Sequence, residues 1–235
     1  MVQTRIADFA LPASLFQAGW VGLWLLGVGV ATETVRRYTT ASPEITRKIV
    51  HIGAGNAIVL AWWLDTPTWM GVTAAIVFSA VALLSYRLPI LPGINSVGRP
   101  SLGTCFYAVS IGVLTALFWP IQHPEFAVIG VLNMTWGDGL AALVGQAHGR
   151  HPYRVLGSSK SWEGSFTMLM VSFTVCLIVL GVTYSWSLAS LMVAAIVALT
   201  ATALETLSIL GLDNLTVPLG SGLLAYGLAQ GWLAI

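Results

Sequence analysis

The sequence predicts an all-α polytopic membrane protein with about eight transmembrane helices (seven to nine), on three observations. Ten Lys or Arg and nine Asp or Glu are all the formal charge in 235 residues, or 8%, against about 25% in an ordinary soluble domain. Apolar residues make up 57% of the chain and the mean hydropathy is +0.84, so polar side chains are too few to cover a water-facing surface. The apolar residues also fall in unbroken runs of about 20, the length of helix that spans the hydrocarbon layer. A β-barrel would show short alternating segments instead.

Taken in order, the runs lie at about 14–33, 47–64, 68–86, 101–119, 126–147, 162–182, 187–207 and 214–233. The second and fifth carry polar residues, and the fifth is expected to break at Gly137-Asp138-Gly139, where two glycines flank an acid. With eight spans, nine of the ten basic residues fall on one side, leaving only Arg5 on the other. By the positive-inside rule those nine mark cytoplasmic loops, and both termini are expected outside. Met1 to Pro12 lacks the basic region and small-residue site of a signal peptide and reads as mature sequence. Loops this short hold no second core, so residues 1–235 are expected to form a single transmembrane domain. Cys105 and Cys176 sit apart in apolar runs and suggest neither a disulfide framework nor a zinc site. A net charge of +1 gives no attraction to nucleic acid.

Function is sought among the ionisable groups that hydropathy would exclude. Asp138 lies about 13 Å from the cytoplasmic end of its span at 1.5 Å per residue, and an ionised carboxylate there costs about 2.5–3.5 kcal/mol or more. Capping the second half of a broken helix is its bland explanation. Gly157-Ser158-Ser159-Lys160-Ser161-Trp162-Glu163-Gly164-Ser165 runs from a loop into the sixth span. Backbone N–H groups, hydroxyls and a lysine at a helix start suit a phosphate; the spacing is not that of a Walker A loop. Topology alone would also explain Lys160, and a first-turn preference Glu163. Glu205 lies near the cytoplasmic end of the seventh span, and Asp213-Asn214 open the eighth, where Asp213 also fits an N-cap. Arg47-Lys48-Ile49-Val50-His51 opens the second span, with Asn56 about one and a half turns further on; Arg47 and His51 share a face. Carboxylates that hold Mg²⁺ and cations that neutralise a phosphoryl group thus converge on one membrane face. The residues by themselves describe a membrane-embedded enzyme acting on a phosphate compound and a lipid.

Four of these motifs together, Gly137-Asp138-Gly139-Leu140-Ala141-Ala142-Leu143-Val144-Gly145, Lys160-Ser161-Trp162-Glu163-Gly164-Ser165, Asp213-Asn214-Leu215-Thr216-Val217-Pro218 and Arg47-Lys48-Ile49-Val50-His51, closely resemble the phytol kinase family. Farnesol and dolichol kinases are its near relations, and phosphatidate cytidylyltransferases more distant ones. The resemblance implies transfer of a phosphoryl group from CTP, or another nucleoside triphosphate, to phytol or another polyprenol, with Mg²⁺ or another divalent cation. It implies catalytic roles for Asp138, Lys160, Glu163 and Asp213, and a metal set of Asp138, Glu163, Asp213 and Glu205. Nucleotide would be held by Gly157, Ser159, Lys160, Ser161, Asn214, Arg47 and Lys48, with His51 and Asn56 as further polar site residues. The stretch from Arg150 to Ser159 matches no family pattern residue by residue. Two alternatives stay open: cytidylyl transfer to phosphatidate, and a small-solute transporter with Asp138 at a midplane site.

Overall fold

The computed structural model describes residues 12–86 and 102–233. Arg5, Arg87 and Arg99 and the first residue of the fourth expected span lie outside them. Helices α1 (Ala13–Tyr38), α2 (Pro43–Gly55), α3 (Ala57–Trp63), α4 (Thr68–Ser85), α5 (Gly103–Phe118) and α6 (Pro124–Leu132) come first. A π turn (Asn133–Asp138) leads into α7 (Gly139–His148), a hairpin of β1 (Pro152–Val155) and β2 (Ser158–Ser161), then α8 (Trp162–Thr183), α9 (Leu188–Thr206) and α10 (Asp213–Trp232). Helix is found at each of the eight expected segments. Among the described residues five helical stretches are long and apolar enough to cross a membrane: α1, α4, the run Pro124–His148, α8 and α9.

Three features differ from expectation. The second segment is interrupted at Asn56, which ends α2 and starts α3. The fifth is not broken at Gly137-Asp138-Gly139: Asp138 (φ −64°, ψ −37°) and Gly139 (φ −56°, ψ −54°) stay helical. It widens there into a π turn instead, which keeps backbone groups bonded where lipid offers no partners. The loop between α7 and α8, finally, is an antiparallel hairpin pairing Tyr153 with Lys160 and Arg154 with Ser159. Its two-residue turn places Leu156 at φ +48° and Gly157 at φ +81°, the left-handed pair that matches the twist of a tight hairpin.

α6 is the axis of the bundle. Phe126, Ala127, Val128, Ile129 and Val131 are all buried, as expected of a helix apolar on every side. α5, α8 and α10 pack around it. Small residues set the distances, as in other lipid-embedded bundles. A Cβ on Gly130 would lie 2.4 Å from the Pro218 carbonyl oxygen, and one on Gly137 2.7 Å from Met168 Sδ. α1 stands at the margin with no buried residue, fastened by Trp24 Nε1 donating to the Gly53 carbonyl at 2.7 Å and Gln17 Nε2 donating to that of Leu64 at 2.9 Å.

Ser42 caps α2 by accepting from Ile45 N at 3.4 Å, Ser161 caps α8 by accepting from Gly164 N at 3.2 Å, and Ser187 caps α9 by accepting from Ser190 N at 3.2 Å. Each supplies an acceptor to a helix start whose N–H groups have none.

The α6–α10 crossing yields a direct check. Gly130→Ala drives a methyl group into backbone and should lower stability by about 1–3 kcal/mol. Gly27→Ala on α1, with nothing within 4 Å, should not lower it. Thermal unfolding of both variants in detergent micelles measures the difference.

Candidate active site

α2 runs antiparallel to the π turn and α7, and brings a buried charge pair together. Lys48 Nζ donates to Asp138 Oδ2 at 2.7 Å and to the Asp138 carbonyl at 3.4 Å. The side chains are only 2% and 12% exposed. His51, one turn on, donates from Nε2 to the Met134 carbonyl at 3.2 Å. A carbonyl can only accept, so Nε2 carries the proton; the same nitrogen lies 3.6 Å from Asp138 Oδ2. Among the described residues Asp138 Oδ1 has no protein hydrogen-bond partner. Tyr107 packs against His51 with the rings tilted at 53° and centroids 4.8 Å apart and donates to the His51 carbonyl at 2.7 Å.

A second pair closes the site from the hairpin. Lys160 Nζ donates to the Glu205 carboxylate, and to the Glu205 carbonyl at 2.9 Å. Both acceptors lie on the last turn of α9. Tyr153, cross-strand from Lys160, reaches the same side: its hydroxyl is 2.5 Å from Ser165 Oγ and 3.4 Å from Thr206 Oγ1. At the base of the hairpin, His151 Nδ1 meets Glu163 Oε1 at 2.7 Å and His151 N donates to Glu163 Oε2 at 3.3 Å.

Asp213 begins α10 and accepts from Asn214 N at 3.0 Å. It is not ion-paired with any described residue, yet its charge acts on Asp138 and is felt by Lys48 and Lys160. Asn214 is buried, and its Oδ1 has no hydrogen-bond partner among the described residues. Pro218, four residues on, also lacks the N–H that the Asn214 carbonyl would accept in a helix. Arg47 binds Glu44 through Nε at 2.9 Å, and its charge acts on Asp138 and Asp213.

The expected residues thus sort into groups. Asp138, Lys48 and His51 form one contact set, Lys160 and Glu205 another, and the fields of Arg47 and Asp213 join them. Glu163 turns to the hairpin and His151. Ser161 caps α8 and packs where α7 and α8 cross: a Cβ on Gly145 would lie 3.0 Å from its Oγ. Gly157 forms the hairpin turn, and Ser159 stands opposite Arg154. Asn56 accepts from Trp136 Nε1 at 2.9 Å, tying the α2–α3 junction to the π turn. Sequence reasoning missed Glu44, Tyr107 and Tyr153. Glu44 was findable as the i, i+3 partner of Arg47; the two tyrosines carry no local signal.

For a divalent cation the donor chemistry matters more than the count. Among the described residues no group of three or more His, Cys, Asp or Glu could hold a metal ion. Mg²⁺ needs only one or two carboxylates when waters and substrate phosphates complete its octahedron. The Asp213 carboxylate and the unpartnered Asn214 Oδ1 are hard oxygen donors of that kind. The residues present therefore fit a phosphate-bridged Mg²⁺ better than a closed protein cage.

The chain is 50% identical over 215 residues to a phytol kinase of Synechocystis sp., covering 92% of each chain. It is 30% identical over 221 residues to phytol kinase 1, chloroplastic, of Arabidopsis thaliana, covering 83% of this chain and 69% of that one. With a farnesol kinase, chloroplastic, of the same plant it shares 28% identity over 147 residues, covering 55% and 45%. No family model and no solved structure matches the chain.

Tyr153→Phe removes the hydroxyl that ties the hairpin to α8 and α9, at a cost of about 1 kcal/mol. Amides of residues 152–161 should then exchange faster in hydrogen–deuterium exchange mass spectrometry. Unchanged exchange would show that the hydroxyl does not fasten the hairpin.

Proposed function

The chain belongs to the phytol kinase family, and from that premise we propose that it is a membrane-embedded kinase transferring the γ-phosphoryl group of CTP to an isoprenoid alcohol, phytol first. The observation that carries the reading is the gathering of Asp138, Glu205 and Asp213 with Lys48 and Lys160 at one end of an apolar bundle. Carboxylates and cations around one point suit phosphoryl transfer, in which positioning and charge compensation supply most of the catalysis. A long-chain alcohol would reach such a site sideways from the lipid. The positive-inside sorting puts this end at the cytoplasmic face, where CTP is available, with both termini outside.

In the proposed reaction the alcohol oxygen attacks the γ-phosphorus and forms a new P–O bond. The bond to the bridging oxygen of the β-phosphate breaks, and CDP leaves. Asp138 Oδ1 accepts the alcohol's proton while Oδ2 stays bound to Lys48. Lys160 places positive charge beside the phosphates, supported by Ser159 and the backbone of the Gly157 turn, and Arg47 adds to the field. Asp213 and Asn214 would hold Mg²⁺, with Asp138 within electrostatic reach of Asp213. When bound, the cation supplies charge neutralisation across the β- and γ-phosphates.

The test is a product assay with CTP labelled on the γ-phosphate, run against phytol, geranylgeraniol, farnesol and dolichol. Label should appear in the lipid. Its release as pyrophosphate would instead indicate cytidylyl transfer and overturn the kinase reading. Asp138→Asn and Lys160→Ala should each abolish turnover while the protein still inserts and folds. EDTA should stop the reaction and Mg²⁺ should restore it; turnover that persists in EDTA would remove the cation from the scheme.

A further inference from the structure

Lys48 is buried among the apolar side chains of the core, at 2% exposure. Its ammonium ends on the π turn, at the Asp138 carboxylate and carbonyl. His51, three residues on, takes a second carbonyl of that turn, Met134, and borders the same carboxylate oxygen. Further along α2, Asn56 accepts from the indole of Trp136. Between these contacts glycines let the two segments approach closely, each glycine meeting a side chain of the other segment. A Cβ on Gly139 would lie 2.7 Å from Ile52 Cγ1, and one on Gly55 2.1 Å from Thr135 Cγ2. Tyr107 fixes the third side, packing its ring at a tilt against His51 and donating to its carbonyl. A widened turn has carbonyls off the regular ladder, and these donors from α2 meet them.

We propose that Lys48 and His51 are positioning residues that act through Asp138: they hold Oδ2 and the π-turn carbonyls so that Oδ1 is presented to the alcohol, and neither contacts the nucleotide. A second helix thereby fixes the reacting oxygen, whose own helix is irregular at that point. The clamp stands on this geometry; its effect on turnover rests on the kinase reading above.

The test uses the full chain in detergent. Lys48→Met keeps length and apolar bulk but loses the donor, and should lower kcat about a hundredfold, as misplacing a reacting group does. KM for CTP should stay within about twofold, because no contact to the nucleotide is lost. His51→Gln, which can still donate to the Met134 carbonyl, should lose much less kcat than His51→Leu. An increase of about tenfold in KM for CTP at near-normal kcat would make Lys48 a nucleotide ligand and overturn the proposal.

Thermal unfolding provides an arm that needs no activity. Lys48→Met should lower the midpoint by leaving the carboxylate buried and unpaired, and Lys48→Met with Asp138→Asn should recover most of the loss. A double variant as unstable as the single one would also overturn the clamp. If the wild-type protein phosphorylates none of the alcohols, the proposed function falls, and the unfolding cycle decides the clamp on its own.

Discussion

The rest of the site depends on a lysine and an aspartate brought out of water together. Either charge alone in this setting would be prohibitive, and removing one partner of such a pair typically costs about 3–5 kcal/mol. Lys48 and Asp138 are 90 residues apart in sequence, so their meeting fixes where α2 lies against the π turn. The position of α2 in turn sets those of His51, of Tyr107 behind it, and of Asn56 beside Trp136. The second pair, Lys160 with Glu205, does the same for the hairpin and the end of α9. One buried and one part-buried pair thus bring four separate stretches of chain, α2, the π turn, the hairpin and the end of α9, to one charged centre inside an otherwise apolar bundle.

At the far end of the bundle a buried acid is met, among the described residues, by a tyrosine and a histidine. Glu125 is buried there and accepts from the Tyr184 hydroxyl, while His123 Nδ1 stands 3.0 Å away. Trp119 Nε1 donates to the Thr66 carbonyl at 3.0 Å, which ties the neighbouring loop to the same end. These contacts also join separate segments, Tyr184 to Glu125 and Trp119 to Thr66. At the opposite end Asp138 and Glu205 are held by lysines, Lys48 and Lys160.

The sequence made the helices legible because lipid leaves few alternatives: about 20 apolar residues must either span or pack, and their boundaries fall where polar residues begin. It also marked Asp138, Lys160, Glu205 and Asp213, since each is costly in its place. It did not show how these charges pair, because pairing depends on how helices cross and not on spacing along one helix. The resemblance puts Lys48 at the nucleotide, and nothing in its spacing along the chain shows that α2 carries it inward to Asp138. The hairpin was hidden because eight residues of strand are too few for a periodicity to emerge, and because Leu156 is unusual at a left-handed turn position. A disturbance is expected at Gly137-Asp138-Gly139; the π turn at Asn133–Asp138 overlaps it at two residues and is of another kind, since glycine permits a break without requiring one.

The π turn has an effect on the geometry of everything after it. One surplus residue in a helix rotates the downstream segment by about 100° relative to an uninterrupted one. Upstream, α6 turns its side chains into the core at Phe126 and Ile129. Downstream, Gly139 faces Ile52 of α2 while Gly145 faces the start of α8. The turn is thus a phase adjustment between two halves of one rod. It lets the same stretch of chain be core for the bundle along one half and a two-sided platform for the charged centre along the other.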